Sequence, residues 1–178
     1  MNFNEAQKEM RFAFLGGGPG IMASAFIWLI TAASTLYVSE MNTLLIFFFG
    51  GMLIYPLGVL LSKLLKGSGK YSGENKLGIL AMESTVILFL GLFLAYLLYQ
   101  FQSNWFFSIM LMVIGVRYLI FQTIYGLKIY WLFGGVLIVA GVIIIQSNQT
   151  FETGVIVGGL IELIFGFFIW RKEKGILT

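Results

Sequence analysis

Six apolar runs, each close to 20 residues long and separated by short polar turns, set the terms for this chain. They lie at about 20–38, 43–62, 77–99, 105–124, 129–146 and 153–170. A helix rises about 1.5 Å per residue, so roughly 20 residues cross the ~30 Å hydrocarbon layer of a bilayer. A soluble helix would carry a polar stripe; these runs are apolar all round. None shows the alternation of an outer-membrane barrel strand. With 59% hydrophobic and only 11% charged residues, the chain falls far below the roughly 25% charge of a soluble domain. The expected fold is therefore all-α: a polytopic membrane protein, a bundle of six transmembrane helices forming a single membrane domain over 1–178.

A short polar segment precedes the first run. In residues 3–15, Phe3, Ala6, Met10 and Phe14 recur at helical spacing between Glu5, Lys8, Glu9 and Arg11. This pattern predicts an amphipathic helix on the membrane surface. The run that follows is too long for a cleaved signal peptide, and further spans come after it. Gly16, Gly17, Gly18, Pro19 and Gly20 then interrupt the helical pattern. They are read as a hinge between the surface helix and the first span, with Pro19 suited to the first turn of the new helix. A glycine nest could bind an anion, but a lone Gly-rich turn is a weak signal for that. Pro56, inside the second run, removes a backbone hydrogen bond and predicts a kink.

Charge sets the orientation. Placing the N-terminus in the cytoplasm puts Lys8, Arg11, Lys63, Lys66, Lys70, Lys76, Lys128, Arg171, Lys172 and Lys174 inside, leaving only Glu40 and Glu152 in the outer turns. This is the positive-inside pattern of a multi-pass protein of a bacterial cytoplasmic membrane, with both termini cytoplasmic. It accounts for the basic balance of +3 without nucleic acid, and the lysine loop at 63–76 is read as topology rather than headgroup recognition. Aromatic belts are expected at Tyr37, Tyr99 and Trp105 outside, and at Tyr71, Tyr125, Tyr130, Trp131 and Trp170 inside. FGGMLIYPLG, FGGVLIVAG and VGGLIELIFG share paired glycines with a third about a heptad later. Such glycines let helices approach closely, within the chain or in a homo-oligomer.

The chain contains no Cys, His or Asp. Thiolate and Ser-His-Asp catalysis and the usual zinc sites are therefore not expected. No cofactor or metal is implied, and an enzyme is the least favoured reading. The chemistry that remains lies in three charges inside apolar runs: Glu83, Arg117 and Glu162. Each costs about 2.5–3.5 kcal/mol at a helix centre unless it finds a partner. Counting from the flanking polar residues places them about 10, 12 and 13 Å above the inner rim. They are thus expected to meet at one level. Ser84, Thr85, Tyr118, Gln122 and Tyr55 are available as neutral hydrogen-bonding groups.

Two readings follow. In one, two carboxylates facing one guanidinium leave a carboxyl group to bind a proton, cation or small solute, because desolvation favours its neutral form. The protein is then transporter-like or solute-binding, with Glu83, Arg117, Glu162, Tyr118 and Ser84 as the site. In the other, the charges form an ion pair that locks helix register in a structural or stress-related membrane component.

GGGPGIMASAFIWLI, NKLG at 75–78 and IGVRYLIFQTIYG at 114–126 resemble a family of small six-span bacterial membrane proteins, a domain of unknown function, over nearly the whole chain. The resemblance implies six spans and no assigned activity. The second half, from GVRYLIF through GGLIELIFGFF, is also similar to acid-resistance membrane proteins of the HdeD type, which repeat a Gly-rich helical hairpin. Neither resemblance carries over a site residue.

Overall fold

A computed structural model describes residues 1–177. Among them the regular structure is entirely helical. The helices are α1 (Phe3–Phe14), α2 (Gly18–Ser34), α3 (Glu40–Leu64), α4 (Leu77–Tyr99), α5 (Trp105–Tyr125), α6 (Ile129–Gln146) and α7 (Phe151–Leu177), with one 3-10 turn at Leu15–Gly17. Six helical stretches are long and apolar enough to cross a membrane; the first, Phe3–Ser34, joins α1 to α2. Over the described residues the protein is an all-helical, multi-pass membrane protein.

Several element ends differ from the sequence expectation. The first span stops at Ser34 rather than 38. There Ser34 Oγ donates to the Thr31 carbonyl and Thr35 Oγ1 to the Ala32 carbonyl, hydroxyl bonds that compete with the helical ladder. The second span begins three residues early, at Glu40, because Ser39 caps it by accepting from the Asn42 N–H at 3.4 Å. That cap leaves Glu40 in the first turn, where a negative charge suits the helix dipole. Pro56 lies within α3, which continues past it. The last helix keeps the charged tail: Arg171, Lys172, Glu173 and Lys174 are all helical.

The chain divides into two compact units, Met1–Leu77 with Gly159–Thr178, and Gly78–Gly158. The first holds α1 to α3 and the later part of α7. Asn2 and Glu5 form a reciprocal capping box at the start of α1, both bonds at 2.9 Å. The α1 face that turns inward is Ala6, Met10 and Ala13, while Phe3 and Phe12 stay exposed. Leu15, Gly16 and Gly17 take positive φ, which the two glycines allow without a Cβ clash. Gly18 begins α2 in close contact with α7: a Cβ there would meet the Trp170 backbone at 2.6 Å. Further along α2, Trp28 is buried edge-on against Phe47 of α3, ring centroids 4.8 Å apart.

The second unit holds α4, α5, α6 and the start of α7. Its core is the α5–α6 hairpin. Gly115 and Gly134 bring the two backbones together, since a Cβ on either would meet the other's carbonyl oxygen, at 2.7 and 2.5 Å. Gly126 ends α5 in the left-handed region, with its N–H bonded to the Gln122 carbonyl at 2.7 Å. α4 packs along α5 where Gly91 faces Val113.

Candidate functional site

Arg117 sits in the third turn from the end of α5, the one charged residue of that helix. Its guanidinium reaches α4: Nε donates to Ser84 Oγ at 3.3 Å and Nη2 to Thr85 Oγ1 at 3.4 Å. Both hydroxyls also donate to the Ala81 carbonyl, at 2.7 and 3.3 Å. That back-bonding turns their lone pairs toward the arginine. On the α5 side the guanidinium carbon lies 5.2 Å from the centroid of the Phe121 ring, within cation–π range.

Glu83 takes no part in this arrangement. It is exposed and makes no hydrogen bond or ion pair among the described residues. The expected Arg117–Glu83 pair is therefore replaced by bonds to the next two residues. Rise along the helix placed Glu83 at the right height, but successive residues point about 100° apart. Ser84, 1% exposed, faces inward, so its neighbour faces outward.

Tyr118 is buried, its ring packed among other rings. It stacks on Phe133 at 4.1 Å and lies near Phe121 and Tyr130 at 5.5 and 6.0 Å. Tyr125 and Tyr130 stack at 5.7 Å and are buried. They flank the short turn after Gly126, which folds them onto each other at the end of the α5–α6 hairpin. Tyr37 and Trp131 do face outward.

Glu162 belongs to the other unit. It is fully buried on α7, on the face of Gly159 and Gly166. Those glycines lie against Trp28 and Leu29, and against Ile21 and Met22, of α2. A carboxyl group is thus enclosed in a membrane-spanning helix that is otherwise apolar for two turns on either side.

A third polar cluster was not foreseen from the sequence. Glu9 of α1 accepts from the Ser72 N–H at 2.8 Å, from Ser72 Oγ at 3.3 Å and from Asn75 Nδ2 at 2.7 Å. The same amide donates to the Ala6 carbonyl at 3.0 Å, while Asn75 Oδ1 accepts from the Leu77 N–H that opens α4. Asn75, then the Ser72 N–H, hold the Glu9 carboxyl below its ordinary pKa of 4.5. Two residues onward, Arg11 grips Glu173 of α7 through Nε and Nη2 at 3.0 and 2.9 Å. The N-terminal helix, the lysine loop and the α7 tail are thereby tied together. The one available signal was Asn75 just ahead of an apolar run, a helix-start pattern. Of the five residues read as a hinge, Gly16 and Gly17 form the tight turn before α2, while Gly18, Pro19 and Gly20 are its first turn; Gly16, Gly17, Gly18 and Pro19 are buried.

No curated protein and no solved structure matches the chain. The likeness of its second half to HdeD-type proteins therefore gains no support. A family of unknown function, DUF7010, matches residues 3–172. That match covers α1 to α6 and all but the last five residues of α7, and by it the chain belongs to the DUF7010 family.

Proposed function

We propose that the protein is a small transporter-like, solute-binding membrane protein. In this reading Arg117, with Ser84 and Thr85, offers a polar intramembrane group to a small solute, and Glu162 is the carboxyl group that takes up and releases a proton. The observation that carries the reading is the guanidinium of Arg117 held by two neutral hydroxyls within a membrane-spanning helix. Ionisable groups at that depth mark solute or proton pathways by default. Glu83, facing outward, is left out of the site. The gathering of Lys8, Arg11, the 63–76 lysines and Arg171–Lys174 on segments that the first unit ties together supports placing both termini in the cytoplasm.

A second reading has its own support. Because Ser84 and Thr85 are bonded back to their own helix, Arg117 also fastens α4 to α5, as a register lock would. Water access separates the two. The chain has no cysteine, so a Ser84→Cys variant carries one reporter. A membrane-impermeant thiol reagent added to intact vesicles labels it if the site opens to water. Absence of labelling in either vesicle orientation, with full labelling after denaturation, leaves the lock.

A further inference from the structure

Glu83 is an ionisable side chain on the outside of a membrane-spanning helix. α4 spans 23 residues, about 34 Å, and Glu83 lies six residues from its start, about 9 Å in. That is deeper than the helix overhang beyond a ~30 Å hydrocarbon layer. Lipid chains offer such a group no hydrogen bond, so whatever covers it must be polar at that point and apolar elsewhere.

The residues around it supply the rest of the pattern. Ile79, Glu83, Val86, Leu90, Phe93 and Leu97 follow one another at spacings of four and three, and all six are exposed, the apolar ones between 42% and 68%. This spacing matches that of a left-handed helix pair, in which side chains of one helix fill holes of the other, and it runs through a broader exposed face of α4 that includes Met82, Ile87 and Phe89. Every copy of the chain inserts with the same orientation, so two α4 helices in one membrane run parallel. Pairing about an axis along the membrane normal then brings each seam residue opposite its own counterpart at equal depth. Glu83 would face Glu83, placing the one polar side chain of each seam opposite the same side chain of the other copy.

We propose that α4 is the docking surface for a second copy of this chain, and that the two Glu83 side chains form its single polar contact. The proposal does not depend on the Arg117 site, which lies on the opposite side of α4. A polar residue in an otherwise apolar seam fixes register and partner number, and polar side chains hold helices together in lipid.

Cysteine cross-linking in native membranes tests this directly. Val86→Cys and Leu90→Cys, each alone in the cysteine-free chain, are expected to give a disulfide-linked dimer on mild oxidation. Leu53→Cys on α3, also exposed, is expected to give none. In the Val86→Cys background, Glu83→Ala should weaken association about tenfold, as loss of an interhelical hydrogen bond does. Glu83→Gln, whose amide can pair across the seam, should preserve it and controls for misfolding. Equal cross-linking at all three positions, none at any, or Glu83→Ala matching wild type overturns the proposal. So does a cross-linked product whose mass shows a different chain on the seam.

Discussion

Arg11 and Glu173 stand 162 positions apart in sequence and meet in a two-point ion pair, 2.9 and 3.0 Å. The glutamate side chain is only 5% exposed, so the contact closes the N-terminal helix onto the end of α7 largely out of water. Truncating the arginine leaves a nearly buried carboxylate without its guanidinium. Arg11→Ala is expected to cost about 2 kcal/mol, read as a lowered midpoint in thermal unfolding of the purified protein. Replacing both partners with apolar residues should recover most of that loss. Equal loss in the single and double variants would show that the pair itself contributes nothing specific.

The Glu9 clasp makes a pH-dependent contribution. Asn75 and Ser72 hold the folded carboxyl below its ordinary value of 4.5. A group with a depressed folded pKa stabilises the fold above its unfolded pKa, and this stabilisation is lost as pH falls through the folded value. The stability difference between wild type and Glu9→Gln is thus expected to be constant from pH 7 to about 5 and to shrink below pH 4.5. Thermal unfolding of both proteins across that range checks it. A difference that grows with acidification would contradict the assignment.

Glycine positions divide by what a methyl group would meet. Gly115→Ala would drive its Cβ against the Gly134 carbonyl at 2.7 Å. It should cost about 1–3 kcal/mol through overpacking. Gly51→Ala and Gly135→Ala meet nothing within 4 Å and should be neutral or slightly stabilising, since alanine is the better helix former. Ranking the three variants by unfolding midpoint tests the α5–α6 contact without reference to function.

What could be read from sequence, and what could not, follows from helix geometry. Run length and the positions of Lys and Arg already set out the membrane-crossing segments. The shared height of Ser84 and Arg117 could also be counted, because rise per residue is fixed. Rotation about the helix axis could not be read. α4 is apolar all round, so no stripe says which side faces inward, and a one-residue error exchanged Ser84 for Glu83 beside Arg117. The same ambiguity hid the stacking of Tyr125 on Tyr130 across the Gly126 turn. The Glu9–Asn75 and Arg11–Glu173 contacts join segments more than 60 residues apart. No local pattern marks such pairs.

Proton movement tests the central claim most directly: that the intramembrane polar groups work rather than merely brace. Wild-type protein in vesicles loaded with the pH dye pyranine, given an inward proton gradient, is predicted to acidify the lumen faster than protein-free vesicles. Glu162→Gln and Arg117→Ala are predicted to fall to the protein-free rate while still inserting and folding. A wild-type rate no higher than that of empty vesicles, or variants that match wild type, would contradict the account and leave Arg117 as a fastening between α4 and α5.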